Sequence, residues 1–169
     1  MGRIEEFTQF ARERTPALYR SALLLCGDAH LAEDLVQDTL AKLYVAWDRD
    51  ILNPVAYAQT VLARTFVSSV RRRSSGERPT QLTIDRLHHD PDVGLRIDLL
   101  RALGTLKPRD RTIVVMRYLD DLSVEQVADV LGMSRGAVRV RAHRALASVR
   151  EVLTDGGLLD AGMTEGSAS

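Results

Sequence analysis

Leu122-Ser-Val-Glu-Gln-Val-Ala-Asp-Val-Leu-Gly-Met-Ser-Arg-Gly-Ala-Val-Arg-Val-Arg141 is the stretch whose reading decides the fold. Ser123 is placed to cap a short helix, and Gln126, three residues on, completes a capping-box pattern. Ala128 is small where two crossing helices approach closely. Gly132, four residues later, supplies the left-handed backbone that a tight turn requires. Ser134 then caps a second helix. The pattern predicts a helix-turn-helix, a motif shared by many DNA-binding classes.

A helical wheel sharpens the second helix. With Val138 at 0° and about 100° per residue, Ala142, Ala145, Leu146 and Val149 fall within about 80° of it and form the predicted buried stripe. Arg139, Val140, His143 and Arg144 cover the opposite side, from about 100° to about 240°. A lone outward valine among Arg and His is odd on a solvated surface. It fits a major groove, where an apolar side chain touches a thymine methyl and arginine bonds a guanine edge. Arg135 and Arg141 flank that face and suit phosphates.

Outward from this motif the chain reads as helical throughout. Leu18, Ala22 and Leu25 share one face, Gly27 is a helix stop, and Asp28 is a new cap. Leu35, Val36, Thr39, Leu40, Leu43 and Trp47 line one side of the next helix, leaving Asp34, Gln37, Asp38 and Ala41 on the polar side. An ordinary solvated surface explains that polar side equally well, and Trp47 reads as a core anchor more readily than as a functional aromatic. Asn53-Pro54 reads as a cap followed by first-turn proline, opening a helix to about Arg73. Composition changes at Ser74, where Ser, Gly, Pro and the His88-His89 pair replace periodicity up to Gly94; this stretch reads as a flexible linker. Patterning resumes at Leu95 and runs to about Leu153, broken at Lys107-Pro108, Asp120-Asp121 and Gly132. Thr154 to Ser169 has four glycines, three acids and no base, and reads as a disordered acidic tail. The expected fold class is all-α: two small helical domains joined by a linker.

Composition narrows the function. At 169 residues the chain makes one ordinary domain or two small ones. A single cysteine, Cys26, excludes an intramolecular disulfide and a Cys-rich metal framework. The four histidines, His30, His88, His89 and His143, lack metal-ligand spacing, and no nucleophile-base pair or phosphate-binding glycine loop occurs. No metal, cofactor or catalytic residue is expected. The charged start, Met1 to Arg14, is not a secretory signal, and the longest apolar run, Ala22 to Cys26, is too short to cross a bilayer. A cytoplasmic protein without membrane insertion is expected.

Net charge is zero, from 23 basic and 23 acidic residues, which at first argues against a nucleic-acid partner. The distribution reverses that reading. Residues 71–79 carry four bases and one acid, and residues 135–150 carry five bases and no acid. Cations at a helix C-terminus favour the dipole, which accounts for Arg71-Arg72-Arg73 without any ligand. Five arginines without one acid for i,i+4 pairing have no such explanation.

Together these pieces resemble a known family. Asp34-Leu-Val-Gln-Asp38, the Trp47 loop, Asn53-Pro54 opening a helix that ends in three arginines, and Leu106-Lys-Pro-Arg-Asp-Arg111 before the helix-turn-helix are similar to the extracytoplasmic-function sigma factors. Leu24-Leu-Cys-Gly-Asp28, Ala32-Glu-Asp-Leu-Val-Gln37 and Pro54-Val-Ala-Tyr-Ala58 resemble the actinobacterial SigE-type group. The resemblance covers about residues 5–153. It implies a promoter-specificity subunit of bacterial RNA polymerase, with residues 5–75 as sigma region 2, 76–94 as linker, 95–153 as region 4 and 154–169 as tail. By that resemblance Asp34, Gln37 and Asp38 meet the β′ clamp helices of the core enzyme, and the β flap is a further contact. Arg49 and Asn53 would serve the −10 loop, with Arg64, Arg71 and Arg72 on phosphates. Ser134, Arg135, Arg139, Val140, Arg141, His143 and Arg144 would bind the −35 element. An anti-sigma factor is a partner the resemblance leaves open.

Two rival readings remain at this level. An autonomous helix-turn-helix regulator would bind duplex DNA by itself, as a dimer on two half-sites. An enzyme is the weaker rival, for want of any catalytic constellation.

Overall fold

A computed structural model describes residues 2–74 and 93–155, all of them in helices or short connections. The linker expectation for 76–94, with its His88-His89 pair, and the tail expectation for 154–169 lie outside the described residues except at their edges, where they are corrected: Val93 and Gly94 are already helical, and Thr154 and Asp155 still are, with Thr154 Oγ1 donating to the Arg150 carbonyl of the preceding turn at 2.8 Å. Among the described residues there are seven α-helices, one π-helical turn and no strand.

The first three helices are α1 (Arg3–Cys26), α2 (Ala29–Ala46) and α3 (Pro54–Ser74). Their ends obey the local chemistry of the sequence. Gly27 adopts φ 68° and its N–H donates to the Leu23 carbonyl at 2.7 Å, closing α1 in the left-handed conformation that a side chain would strain. The Asp28 carboxylate accepts from the Leu31 N–H at 3.1 Å and starts α2 at once. Asn53 Oδ1 accepts from the Ala56 N–H at 3.1 Å, and Pro54 sits in the first turn of α3. The predicted stripes pack: Leu18, Ala22, Leu25, Leu35, Val36 and Leu43 are buried together, and Leu62 and Phe66 of α3, which the sequence reading did not single out, join them. Each fully buried leucine stabilises the fold by about 1.5–3 kcal/mol relative to exposure. Trp47 is an anchor, as read: its ring lies 5.3 Å from Phe7 and 4.9 Å from Phe10, between α1 and the end of α2.

The second group is α4 (Val93–Gly104), α5 (Pro108–Val114), a π-helical turn (Val115–Leu119), α6 (Val124–Leu131) and α7 (Arg135–Asp155). Thr112 to Met116 is continuously buried, which is why no alternation marked the switch from α to π geometry there. Asp121 follows with φ 53°, the one non-glycine residue in the left-handed region among those described. This corner turns Leu122 into the core, its N–H donating to the Met116 carbonyl at 2.8 Å.

The two groups pack against each other. One apolar core runs from Leu18, Leu25 and Phe66 through to Leu103, Val114, Val115, Ala145 and Val149. A second core adds Ala63 of α3 to Ile113, Met116, Leu122, Val127, Leu131, Val138 and Ala142. At the seam α1 meets α4, α5 and the π turn, while α3 meets α5 and α6.

Candidate nucleic-acid interface

The helix-turn-helix forms as its sequence dictates. Ser123 Oγ accepts from the Gln126 N–H at 3.1 Å and Gln126 Oε1 accepts from the Ser123 N–H at 2.8 Å, a reciprocal capping box. Gly132 takes φ 62°. The N–H groups of Gly132 and Met133 both point to the Ala128 carbonyl, the latter at 3.0 Å. Ser134 Oγ accepts from the Ala137 N–H at 3.1 Å and opens α7.

On α7 the wheel is realised. Val138, Ala142, Ala145 and Val149 are buried, and Leu146 is half-buried at the margin of the stripe. Ser134, Arg135, Arg139, Val140, Arg141, His143 and Arg144 are exposed, so all seven candidate residues of this helix share an open surface. Val140 keeps 50% of its surface in solvent although it sits among charged neighbours.

Two of these arginines are occupied in the free chain. Arg141 Nη1 lies 3.1 Å from Asp110 Oδ1 of α5, and Arg135 Nη1 lies 3.5 Å from Glu125 Oε1 of α6. Glu125 is held below the usual carboxylate range, first by hydrogen bonding at its own backbone and further by Arg135 and Arg139. Among the described residues Arg144 forms no ion pair.

The other candidate residues fall on the first helical group. Asp34, Gln37 and Asp38 are exposed on one side of α2, opposite buried Leu35, Val36, Thr39 and Leu43. Val45 continues this side two turns on and is 77% exposed, a residue the sequence reading did not single out. Arg49 and Asn53 are exposed on the connection from α2 to α3. They line a cavity of about 420 Å³ together with Asp50, Ile51, Leu52, Ala56, Tyr57, Thr60 and Gln126. Tyr57, Thr60 and fully exposed Leu52 were not anticipated, because cavity walls built from consecutive turns leave no periodic signature. Asn53 already spends its oxygen on the α3 cap, which leaves its NH₂ group for any ligand. Arg64, Arg71 and Arg72 are exposed along α3, with Arg64 and Arg71 two turns apart on one side. The structure therefore gathers Arg49 and Asn53, but Arg64 stands about 15 Å farther along α3.

Other chemistry is excluded for specific groups. Burial pushes the Cys26 thiol up to about 12, so it is not a thiolate at neutral pH. Among the described residues no cluster of His, Cys, Asp and Glu could hold a metal ion, and no helix is long and apolar enough to cross a membrane.

Comparison with known proteins follows the same division. Residues 10–76 match the family model for sigma-70 region 2, and residues 96–149 match that for sigma-70 region 4. The chain is 37% identical over 160 residues to the RNA polymerase sigma-E factor of Streptomyces coelicolor, covering 90% of this chain and 89% of the relative. It belongs to the extracytoplasmic-function sigma factors. A further relative, the sigma factor SigL of Mycobacterium tuberculosis, is 30% identical over 161 residues, covering 86% of this chain and 88% of SigL. Among solved structures, the sigma factor RpoE of Bartonella quintana, in complex with the anti-sigma factor NepR, superposes with a TM-score of 0.69 at 27% identity, covering 89% of this chain and 98% of RpoE. CnrH, in complex with the cytosolic domain of CnrY, superposes with a TM-score of 0.59 at 26% identity, covering 88% of each chain. This sigma factor therefore directs promoter-specific transcription initiation by RNA polymerase, with its helix-turn-helix inside region 4. The rival of an autonomous regulator is set aside by the region 2 match, which such a protein has no reason to carry.

Proposed function

We propose that the sigma factor divides its contacts among three surfaces. Region 2, within residues 5–75, offers the Asp34, Gln37 and Asp38 side of α2 to the β′ clamp helices of core polymerase. The Arg49–Asn53 loop and α3 take the −10 element, with Arg64, Arg71 and Arg72 on phosphates. Region 4, within residues 95–153, presents α7 to the −35 element and also meets the β flap. The stretch between α3 and α4 connects the two, and the residues after α7 form a tail outside both. The protein acts in the cytoplasm, and it uses binding alone, without a catalytic residue.

Physical chemistry supports this division. Arginine reads guanine with two parallel donors, and outward Val140 suits a thymine methyl. Arg135 and Arg141 exchange their carboxylate partners for phosphates, a trade of one ion pair for another. Opening a duplex costs a few kcal/mol per unstacked base, and a base received in the cavity beside Arg49, Asn53 and Tyr57 offsets part of that. Zero net charge keeps the free protein from loading on DNA indiscriminately. Once both regions are tethered to one polymerase, each raises the effective concentration of the other on the promoter. The RpoE relative is held by an anti-sigma factor, and a protein inhibitor of that class is part of this proposal.

The observation that carries the reading is the exposed surface of α7 over residues 135–150, five arginines without an acid behind a fully capped turn. Transcription from promoters randomised over the −35 element tests it. Arg144→Ala relaxes selectivity at one base position, worth about 1–3 kcal/mol. A uniform loss on every sequence reduces Arg144 to a phosphate contact.

A further inference from the structure

Five polar residues are buried among those described, and four of them are matched. Thr39 and Thr112 donate to the Leu35 and Pro108 carbonyls, and Thr65 accepts from Lys42 Nζ at 3.0 Å. The Ser21 hydroxyl donates to Asp120 Oδ1 at 2.6 Å. Arg111 is matched as well. Its Nε and Nη2 donate to the Leu103 and Leu106 carbonyls, and its Nη1 donates to the Leu25 carbonyl at 2.7 Å. Gln59 of α3 is different. It is 8% exposed, and its Oε1 is the one buried side-chain nitrogen or oxygen without a hydrogen-bond partner among the described residues. Such an acceptor costs free energy, and one that persists calls for an explanation.

Gln59 stands between two spaces. One is a void of about 10 Å³, too small for anything larger than a single water, with Arg14 as its other polar wall. The second is a cavity of about 480 Å³, within the size range of small-molecule sites. Its polar lining includes Arg20 and Ser21 of α1, Gln59, Asp120, Asp121 and Gln126 of α6. Leu24, Val55 and Leu119 give it apolar walls. Two carboxylates thus face one guanidinium. Arg20 is exposed and forms no ion pair among the described residues, and none reaches Asp120 either. Ser21 takes Asp120 Oδ1, which leaves Oδ2 to accept from a ligand.

We propose that this cavity binds a small organic cation, an ammonium or guanidinium on a short aliphatic stem, whose N–H groups reach Asp120 and Gln59. The stem lies along Leu24, Val55 and Leu119. Both groups that stand underused are acceptors, so the ligand must bring donors, and the surplus carboxylate calls for positive charge. Burial pushes the Asp120 carboxyl up to about 6, against the Ser21 hydrogen bond and with Asp121 adding to the rise. A cation therefore competes with the Asp120 proton, and affinity rises with pH. Arg20 and Asp121 are the other charged groups facing that carboxyl across the cavity, while α3 and α6 present the neutral Asn53, Gln59 and Gln126. The site does not rest on the sigma reading.

The test titrates the full chain with n-butylguanidinium, followed by amide and side-chain NMR shifts. N-butylurea, of the same shape without charge, is the control. The cation should bind saturably, with shifts at Ser21, Asn53, Gln59 and Leu122, and the urea should not. Between pH 5 and pH 7 the affinity should rise about tenfold as Asp120 ionises. Asp120→Asn should lower it at least about tenfold and abolish that pH dependence. Gln59→Leu, close in volume, should lower it about fivefold. Asp129→Asn removes an exposed carboxylate outside the cavity and should change nothing. The wild-type pH series stands even where a variant fails to fold. Equal binding of the urea overturns the cation, and an affinity flat from pH 5 to pH 7 overturns the role of Asp120. No saturable binding, or shifts confined to exposed carboxylates elsewhere, overturns the site.

Discussion

Arg141 and Asp110 form an ion pair of 3.1 Å that ties the outward side of α7 to the first turn of α5. Both side chains are partly exposed, so the pair stabilises the fold by about 0–1 kcal/mol. Under the proposed −35 contact its larger effect is on DNA, since Arg141 would have to leave Asp110 to reach a phosphate. Asp110→Asn frees it. The expected result is a melting temperature within a few degrees of wild type, with tighter promoter binding at low salt. Weaker binding would show that Asp110 orients Arg141 rather than competing for it.

Acid should tighten the seam. The Asp120 carboxyl titrates near 6 in the folded chain and near 3.8 when solvated. A raised carboxyl contributes most stability when protonated in both states, at and below about pH 4. That contribution is lost as pH rises through about 6. Asp120→Asn keeps a neutral acceptor for Ser21, and its thermal stability relative to wild type should rise between pH 4 and pH 7. A stability difference that is flat over that window would contradict the burial of Asp120.

Gly132 tests the turn. Its φ of 62° is left-handed, and a Cβ added there meets nothing within 4 Å. Gly132→Ala therefore carries a backbone penalty alone, about 1–2 kcal/mol, read as a fall in denaturation midpoint. Gly132→Asn should lose less, because asparagine tolerates this region. Equal losses would mean that something other than backbone conformation is at stake.

The exposed side of α2 separates binding from folding. Gln37→Ala with Asp38→Ala removes two exposed polar side chains from the surface of α2. Affinity for core polymerase should fall at least about tenfold with circular dichroism unchanged. Loss of helicity would assign that side a structural role.

Local rules made much of this molecule readable from its sequence. Gly27, Asp28, Asn53, Ser123, Gly132 and Ser134 each act within a few residues, so their types announced the helix ends. The α7 stripe and its basic opposite side follow from one period and a count of charges. Other features have no local trace. Arg111 reads as one more charge in a helical turn until its third donor finds Leu25, 86 positions away. Ser21 sits at a small, unremarked position of α1, and Asp120 reads as part of a loop; only tertiary packing brings them together. The π turn is hidden because Ile113, Val114, Val115 and Met116 are all buried, and a segment apolar on every side shows no period. The polar side of α2 is the intermediate case. Pattern alone left it a solvated surface, and its functional reading rests on family membership.

Run-off transcription with purified core polymerase tests the central claim most directly. A template library of random promoter sequences is transcribed by core alone, by the sigma factor alone and by the two together. The two together should yield transcripts enriched for one −35 and one −10 sequence, while each component alone yields none of them. No enriched transcript, together with no binding of the chain to core, would contradict the account.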